Sequence, residues 1–160
     1  GRLAIGPFAA RPPAGWVPVP VATAARVGAF RVPGPAGDAE LVIYYFGLHG
    51  AGPTAANVER WVGQFHAADG GPAAPPARVE ELALASGAAT LVSVAGRFMA
   101  PATPGGSDLI DRPDHALVGA ITASPRGPYY WKLIGPRATV DVQAAAFRAL
   151  LAALELQPDA

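Results

Sequence analysis

GLHGAGPTAANVERWVGQFH, residues 47–66, is the stretch around which the fold is organised. Its glycine-rich turn leads into Thr54, a residue type favoured at helix N-caps, so we expect a helix from residue 55 to residue 66. The large apolar residues of this segment recur at the i, i+3, i+4, i+7 spacing that places side chains on one helical face. Such a face must pack against an apolar surface. The stripe comprises Val58, Trp61, Val62 and Phe65.

Two apolar runs border this helix and predict the surface that it covers. Residues 41–46 consist of good strand formers, and residues 82–94 form a second long apolar run. Short turns, such as the one at Ser86-Gly87, join neighbouring strands and therefore imply antiparallel pairing. Six strands are expected, at residues 24–32, 39–46, 78–85, 88–98, 115–124 and 129–134.

A second helix closes the chain. Thr139 is its expected N-cap, and Gln157-Pro158 ends it. Together these elements predict a single α+β domain, in which a mostly antiparallel sheet of about six strands is covered by two main helices. The buried stripe of the second helix comprises Val140, Phe147, Leu150, Leu151 and Leu154.

The composition limits the classes of function. A chain of 160 residues fits one domain. Its 12 basic and 12 acidic residues cancel, so no overall field attracts nucleic acid or anionic lipid. The absence of cysteine excludes disulfides, thiolate catalysis and thiolate metal sites. No stretch approaches the ~20 apolar residues of a membrane span, so we expect no transmembrane segment in the mature chain.

The first 20 residues differ in character from the rest. Residues 7–20, PFAARPPAGWVPVP, are too rich in proline and alanine to predict a regular element. The first residue is glycine, which fits either a removed leader or a trimmed linker. We therefore predict an N-terminal tether at residues 1–20, ahead of a compact domain at residues 21–158.

Residues 99–113 predict a long loop, because prolines and paired glycines interrupt them and no periodicity is visible. Loops of this length are often functional, so this segment is a candidate contact surface.

Several short motifs together resemble a known family. They are Tyr45-Phe46-Gly47, Ala56 to Trp61, Gln64-Phe65, Gly119-Ala120-Ile121, Gly127-Pro128-Tyr129, Lys132-Leu133, Gly135-Pro136, Thr139-Val140 and Phe147. With these motifs the chain resembles a bacterial PsbP-like domain from about Trp16 to Leu154. This is the fold of an extrinsic photosystem subunit and of many small envelope lipoproteins of unknown role.

The resemblance implies an α/β/α sandwich over residues 21–158 and a periplasmic or other extracytoplasmic location with a membrane tether. It implies no catalytic residues. Similar bacterial sequences carry a loop rich in glycine and methionine where this chain has the proline-rich residues 98–113 with the single Met99.

The turn at Gly50 to Ala55 has the G-x-G-x-x-A spacing of a dinucleotide-binding turn between a strand and a helix. Such turns bind pyrophosphate through backbone amides at the helix N-terminus. Pro53 removes one of those amides, and no repeated βαβ units follow. A small-molecule or nucleotide-binding protein or enzyme that uses residues 47–54 is therefore the alternative to a non-catalytic domain.

Other residues admit catalysis or metal binding without a specific pattern. The acidic run lacks the ligand alternation of a calcium loop, and no serine has the G-x-S-x-G setting of a hydrolase nucleophile. The histidines could bind copper together with Met99 if they met in space, which would make the chain a weak metal carrier. We assign no catalytic, cofactor-binding or metal-binding residues and no cofactor. The residues considered are Asp108, Asp111, Asp114, His49, His66 and His115.

Aromatic residues are the remaining indication of function. In the strand at residues 129–134, Tyr130 and Lys132 face one side of the sheet and Trp131 the other. If one face is exposed, it offers aromatic surface to a partner; otherwise the aromatic side chains, including Trp16, pack into the core. We predict Trp16, Met99, Tyr130 and Lys132 as contacts with a protein partner at a membrane complex. The predicted function is a non-catalytic accessory or interaction domain at the bacterial envelope.

Overall fold

The computed structural model describes residues 1–103 and 105–158, and within them the chain forms two helices and two sheets. The helices are α1 (Thr54–Val62) and α2 (Arg137–Ala152). The strands are β1 (Leu3–Ile5), β2 (Phe8–Ala10), β3 (Val17–Pro18), β4 (Arg26–Val32), β5 (Ala39–Tyr45), β6 (Phe65–His66), β7 (Arg78–Leu84), β8 (Gly87–Pro101), β9 (Leu109–Thr122), β10 (Tyr129–Pro136) and β11 (Glu155–Leu156).

The larger sheet has eight strands in the described part of the chain. Its order is β3-β4-β5-β10-β9-β8-β6, and β7 also pairs with β8. All of the pairings described are antiparallel. The six predicted strands correspond to β4, β5, β7, β8, β9 and β10, so the α+β prediction is confirmed. The two short strands β3 and β6 were not predicted.

The two helices lie on opposite faces of this sheet, as in an α/β/α sandwich. The α1 face has a small core in which Trp61 and Phe65 contact Val92, Leu117 and other apolar residues of the sheet. The α2 face has a larger core, which includes all five residues of the stripe predicted for the second helix. Its helical members are Val140, Phe147, Leu150 and Leu151, followed by Leu154 after the helix.

The alternation predicted for β10 is confirmed. Trp131 and Leu133 belong to the core on the α2 face, and Tyr130 belongs to the core on the α1 face. Both faces of the strand are covered, which explains why apolar residues occupy alternate positions on both sides of it.

The prediction of an irregular tether at residues 1–20 is wrong in its local structure. Strands β1 and β2 form a hairpin, and β2 pairs with β11 in a separate three-stranded sheet. Phe8 is fully buried, with its ring 5.4 Å from that of Tyr129. The short segments between the prolines are long enough for three-residue strands, and their apolar side chains complete the core on the α2 face.

The predicted loop at residues 99–113 is strand at both of its ends. β8 and β9 form a long hairpin whose connection begins only after Pro101. Pro113 is accommodated because the register shifts there: Gly96 is opposite His115, whereas Phe98 is opposite Arg112. A proline in such a bulge leaves no ladder hydrogen bond unmade.

Both predicted N-caps are displaced. α1 begins after Pro53 and α2 after Pro136, and neither of these helices has a side-chain capping bond among the described residues. Thr139 is instead buried, where its Oγ1 accepts a hydrogen bond from the Ala36 N–H (3.2 Å) and donates one to the Gly37 carbonyl (2.6 Å). It therefore stabilises the turn between β4 and β5.

Candidate functional site: a pocket between helix α1 and the sheet

Helix α1 has nine residues and covers only part of its sheet face. Beside it, β5 pairs with β10 so that Tyr44 lies opposite Tyr130. Because side chains alternate along strands, Lys132 faces the same side as Tyr130. The helix and these strands enclose a pocket of about 170 Å³, which we call the α1 pocket. It is lined by Tyr44, Phe46, Arg60, Trp61, Gln64, Tyr130 and Lys132.

Aromatic rings form the walls of the α1 pocket. Tyr44 and Phe46 stack with ring centroids 6.0 Å apart and planes 7° from parallel. Tyr130 contacts the edge of Trp61 at 6.3 Å and lies 5.6 Å from Phe46. Tyr130 is buried, whereas Phe46 is 47% exposed. The pocket is therefore closed at its base by Tyr130 and open at Phe46.

The glycine-rich turn is held from below. The Tyr130 hydroxyl accepts a hydrogen bond from the Ala51 N–H at 2.9 Å. The fully buried Asn57 donates its Nδ2 hydrogens to the carbonyls of Ala51 (3.2 Å), Gly52 (3.3 Å) and Pro53 (2.9 Å). These bonds restrain the turn and connect it to the α1 pocket through Tyr130, which also lines the pocket.

The same bonds weaken the nucleotide-site alternative for residues 47–54. The Ala51 amide is already bonded, and α1 connects strands of a sheet whose described pairings are all antiparallel. A dinucleotide-binding turn instead presents free amides within parallel βαβ units. The structure brings no observation in favour of a phosphate ligand here.

The α1 pocket is electrostatically positive within a chain of zero formal net charge. The Lys132 Nζ lies 5.7 Å from the centroid of the Trp61 ring, and the Arg26 guanidinium lies 5.7 Å from that of Tyr44. Arg60 donates a 2.6 Å hydrogen bond to the Asn57 side chain. Within residues 1–103 and 105–158, no ion pair joins Arg26, Arg60 or Lys132 to a carboxylate.

Burial and neighbouring cations perturb Lys132. Burial lowers the pKa of its ammonium group to about 8, and the charges of Arg60 and Arg26 act in the same direction. The carboxylate of Glu40 opposes these effects. Perturbation of this kind is common at functional sites, because such sites place charges where a ligand, rather than the protein, neutralises them.

Gln64 contributes an unsatisfied acceptor. Its Oε1 is buried and has no hydrogen-bond partner among the residues described. An unpaired buried acceptor is costly in a folded protein, so this atom needs a donor from outside the described residues.

Two of the four predicted contact residues lie in the α1 pocket and two lie elsewhere. Tyr130 and Lys132 line the α1 pocket, although Tyr130 is buried by α1 rather than exposed. Trp16 is buried beside Phe30, and its indole N–H donates to Gln143 Oε1 at 3.0 Å. Met99 is half-buried in β8.

Four of the pocket residues were not predicted as functional from the sequence, although their spacing carried a signal. Tyr44 and Phe46 share a face by strand alternation. Arg60 and Gln64 have the spacing of one turn in the helix predicted to residue 66, although α1 ends at Val62. Trp61 was predicted as a member of the apolar stripe of the helix. In the structure it belongs to the core and also forms a wall of the pocket.

The residues considered for metal binding do not assemble. In the described ranges, no three histidine or carboxylate side chains come together as possible ligands. Asp111 forms a double hydrogen bond with Arg97 across β8 and β9, which lowers the pKa of its carboxyl group. This aspartate therefore has a structural partner already.

Comparison with solved structures finds a similar fold. The solution structure of cyanobacterial PsbP (CyanoP) from Synechocystis sp. PCC 6803 matches with a TM-score of 0.55. The match covers 98% of this chain and 91% of that one, at 12% sequence identity. No protein-family model and no curated protein matches the sequence. The PsbP-like fold expected from the sequence motifs is therefore confirmed.

Neither helix of the described residues is long and apolar enough to cross a membrane.

Proposed function

We propose that this chain, which has a PsbP-like fold, is a non-catalytic accessory domain that binds a protein partner at the bacterial envelope. In this role it is an extrinsic subunit or a protein-binding module in the periplasm or another extracytoplasmic space, held at a membrane complex. The proposal is supported by the fold shared with cyanobacterial PsbP and by the surface around the α1 pocket.

The observation that carries the proposal is the exposure of two large apolar side chains, Phe46 in the lining of the α1 pocket and Leu48 two residues further along the chain. Phe46 is 47% exposed and Leu48 is 62% exposed. Aromatic side chains beside arginine are the composition that protein interfaces favour at their centres. We call Phe46, Leu48 and Arg60 the mouth patch.

The mouth patch is held in place before any partner arrives. The Tyr45 hydroxyl donates a 2.6 Å hydrogen bond to the Arg126 carbonyl. Gly127 has a φ of 106°, and a Cβ there would lie 2.7 Å from the Gly47 carbonyl oxygen, so the two turns meet at a distance that only glycine permits. A rigid surface loses little conformational entropy on binding, which favours affinity.

The experiment is affinity purification of the full-length protein from solubilised native envelopes, followed by mass spectrometry. The test variant is Phe46→Ser with Leu48→Ser. The matched control is Val142→Ser, because Val142 is 63% exposed on α2, on the other side of the sheet. Circular dichroism of the purified variants establishes that both are folded.

We expect one dominant complex with the wild type and the control, and its loss with the mouth-patch variant. Recovery of the protein alone would contradict an accessory role. A partner retained equally by all three proteins would place the interface elsewhere on the surface.

A further inference from the structure

We infer that the α1 pocket binds a carboxylate group, carried by an acidic or C-terminal residue of the partner protein. That the carboxylate belongs to a partner protein rests on the proposed function. That the pocket binds a carboxylate is argued below from the pocket residues alone.

Charge is the first argument. Arg60 and Lys132 line the pocket, Arg26 lies over the ring of Tyr44 in its wall, and no ion pair within the described residues neutralises them. Like charges brought together in a partly desolvated site repel one another, and an anion between them removes that cost. The complementary ligand group is therefore negatively charged.

The size and walls of the α1 pocket are the second argument. Its volume of about 170 Å³ suits one side chain or chain terminus rather than a nucleotide. Tyr44, Phe46 and Trp61 present ring surfaces to it, which pack well against an apolar stem. A carboxylate on a short carbon chain satisfies both the cations and the rings.

Gln64 Oε1 is the third argument. This buried acceptor has no donor among the described residues, and it belongs to a residue that lines the pocket. A peptide brings an amide N–H next to its carboxylate and can satisfy the acceptor. A fully ionised inorganic anion brings no donor, so the geometry favours a peptide carboxylate.

The test uses a pair of nearly isosteric probes, one negatively charged and one neutral. N-acetylphenylalanine has a carboxylate, an amide N–H and an aromatic stem, and N-acetylphenylalanine amide lacks the negative charge. Each is titrated to millimolar concentration at neutral pH into full-length protein carrying ¹³Cε-lysine and ¹⁵N-tryptophan. Because Lys132 is the sole lysine of the sequence, its signal needs no assignment.

We expect the carboxylate probe, and not its amide, to shift the signals of Lys132 and of the Trp61 indole. Lys132→Met should weaken this binding by about tenfold or more, since a charge-assisted hydrogen bond is lost. Gln64→Leu should weaken it as well. The control Arg148→Met changes a cation on α2, where Arg148 pairs with Glu80, and should leave binding unchanged.

Three outcomes overturn the inference: equal shifts with both probes, no shifts with either, or undiminished binding to Lys132→Met. They do not affect the proposed function if the mouth-patch variant still loses its partner. Conversely, charge-dependent probe binding in a protein that is recovered alone from envelopes supports the carboxylate site. That result would reject the proposed function and with it the partner as source.

Discussion

Trp61 of α1 lies directly over Gly119 of β9. A Cβ added to Gly119 would be 2.6 Å from Trp61 Cζ3, a separation that real Cβ atoms do not show. The absent side chain lets the indole reach the sheet between β10 and β8, where Lys132 and Val92 are the register neighbours of Gly119. The depth of the α1 pocket therefore depends on one glycine in a strand.

Substitution of Gly119 tests this packing directly. Gly119→Ala should lower the free energy of unfolding by about 1–3 kcal/mol, because the added methyl group forces the indole away from the sheet. Urea denaturation measures the loss. In a Trp61→Leu background the same substitution should cost less, and strictly additive losses would show that the two residues are not coupled.

The protonation of Lys132 can be followed without interference. We expect the ¹³Cε signal of the sole lysine to titrate with a midpoint near pH 8, since burial and two arginines lower its pKa from 10.5 to about 8. NMR spectra across that range measure the midpoint. A midpoint near 10.5 would mean that the ammonium group is fully hydrated and that the pocket is wetter than its geometry indicates.

The same shift makes stability depend on pH. Between pH 8 and 10.5 the unfolded chain holds the Lys132 proton that the folded chain has released, so the free energy of unfolding should rise with pH by at most about 1.4 kcal/mol per unit. Below pH 8 both states are protonated and the full cost of the buried charge remains. Urea denaturation at successive pH values measures this rise.

Lys132→Met is the matched variant for that measurement. It should be more stable than the wild type at pH 7, by roughly 2 kcal/mol, and should lack the rise above pH 8. Burial raises the pKa of Tyr44 and Tyr129 above 10.0, so the free energy of unfolding should fall as the pH increases past that value. The comparison is therefore best made below pH 10. If the free energy of unfolding still rises above pH 8 in the variant, the rise is caused by a titratable group other than Lys132.

The N-terminal strands should contribute to global stability. Phe8→Ala should cost about 3–5 kcal/mol, because a fully buried ring against Tyr129 and Trp131 is removed. Leu3→Ala is the control, since Leu3 is 41% exposed in the neighbouring strand and should cost little. Equal unfolding midpoints for Phe8→Ala and the wild type would restore the tether prediction for this segment.

Asn57 should be required for the conformation of the turn that precedes α1. Asn57→Ala removes the donor to three carbonyls and should destabilise the protein by about 1–3 kcal/mol. Hydrogen exchange of the Ala51 amide should accelerate, because its bond to Tyr130 depends on the same turn. The exposed Asp69, whose side chain accepts one hydrogen bond within the described residues, from the Gly71 N–H two positions further on, provides a control in Asp69→Ala.

Local periodicity predicted most of the fold. Alternation along Tyr129 to Ile134 and the helical stripe that contains Trp61 predicted an antiparallel sheet covered by helices, whereas the placement of the helices on opposite faces was implied only by the family resemblance. Prediction was wrong where a tertiary contact overrides local composition. The proline-rich start forms strands because Phe8 has a site beside Trp131, and Pro113 lies in a strand because a bulge accepts it.

The candidate site was only half predictable for the same reason. Alternation located Tyr130 and Lys132, but their burial depends on where α1 crosses the sheet, and Gly119 determines that position. The unpaired acceptor of Gln64 has no sequence signature, because it depends on the absence of a hydrogen-bond donor among the described residues that surround it in the fold.

Both ends of the described chain lie in one small sheet, in which β2 pairs with β1 on one side and with β11 on the other. Through Phe8 this sheet packs on the face of the large sheet opposite to α1. A linker fused at either end therefore departs from the back of the molecule. If the protein is immobilised on a bead or a sensor chip through such a linker, the α1 pocket faces the solution and is accessible for binding measurements.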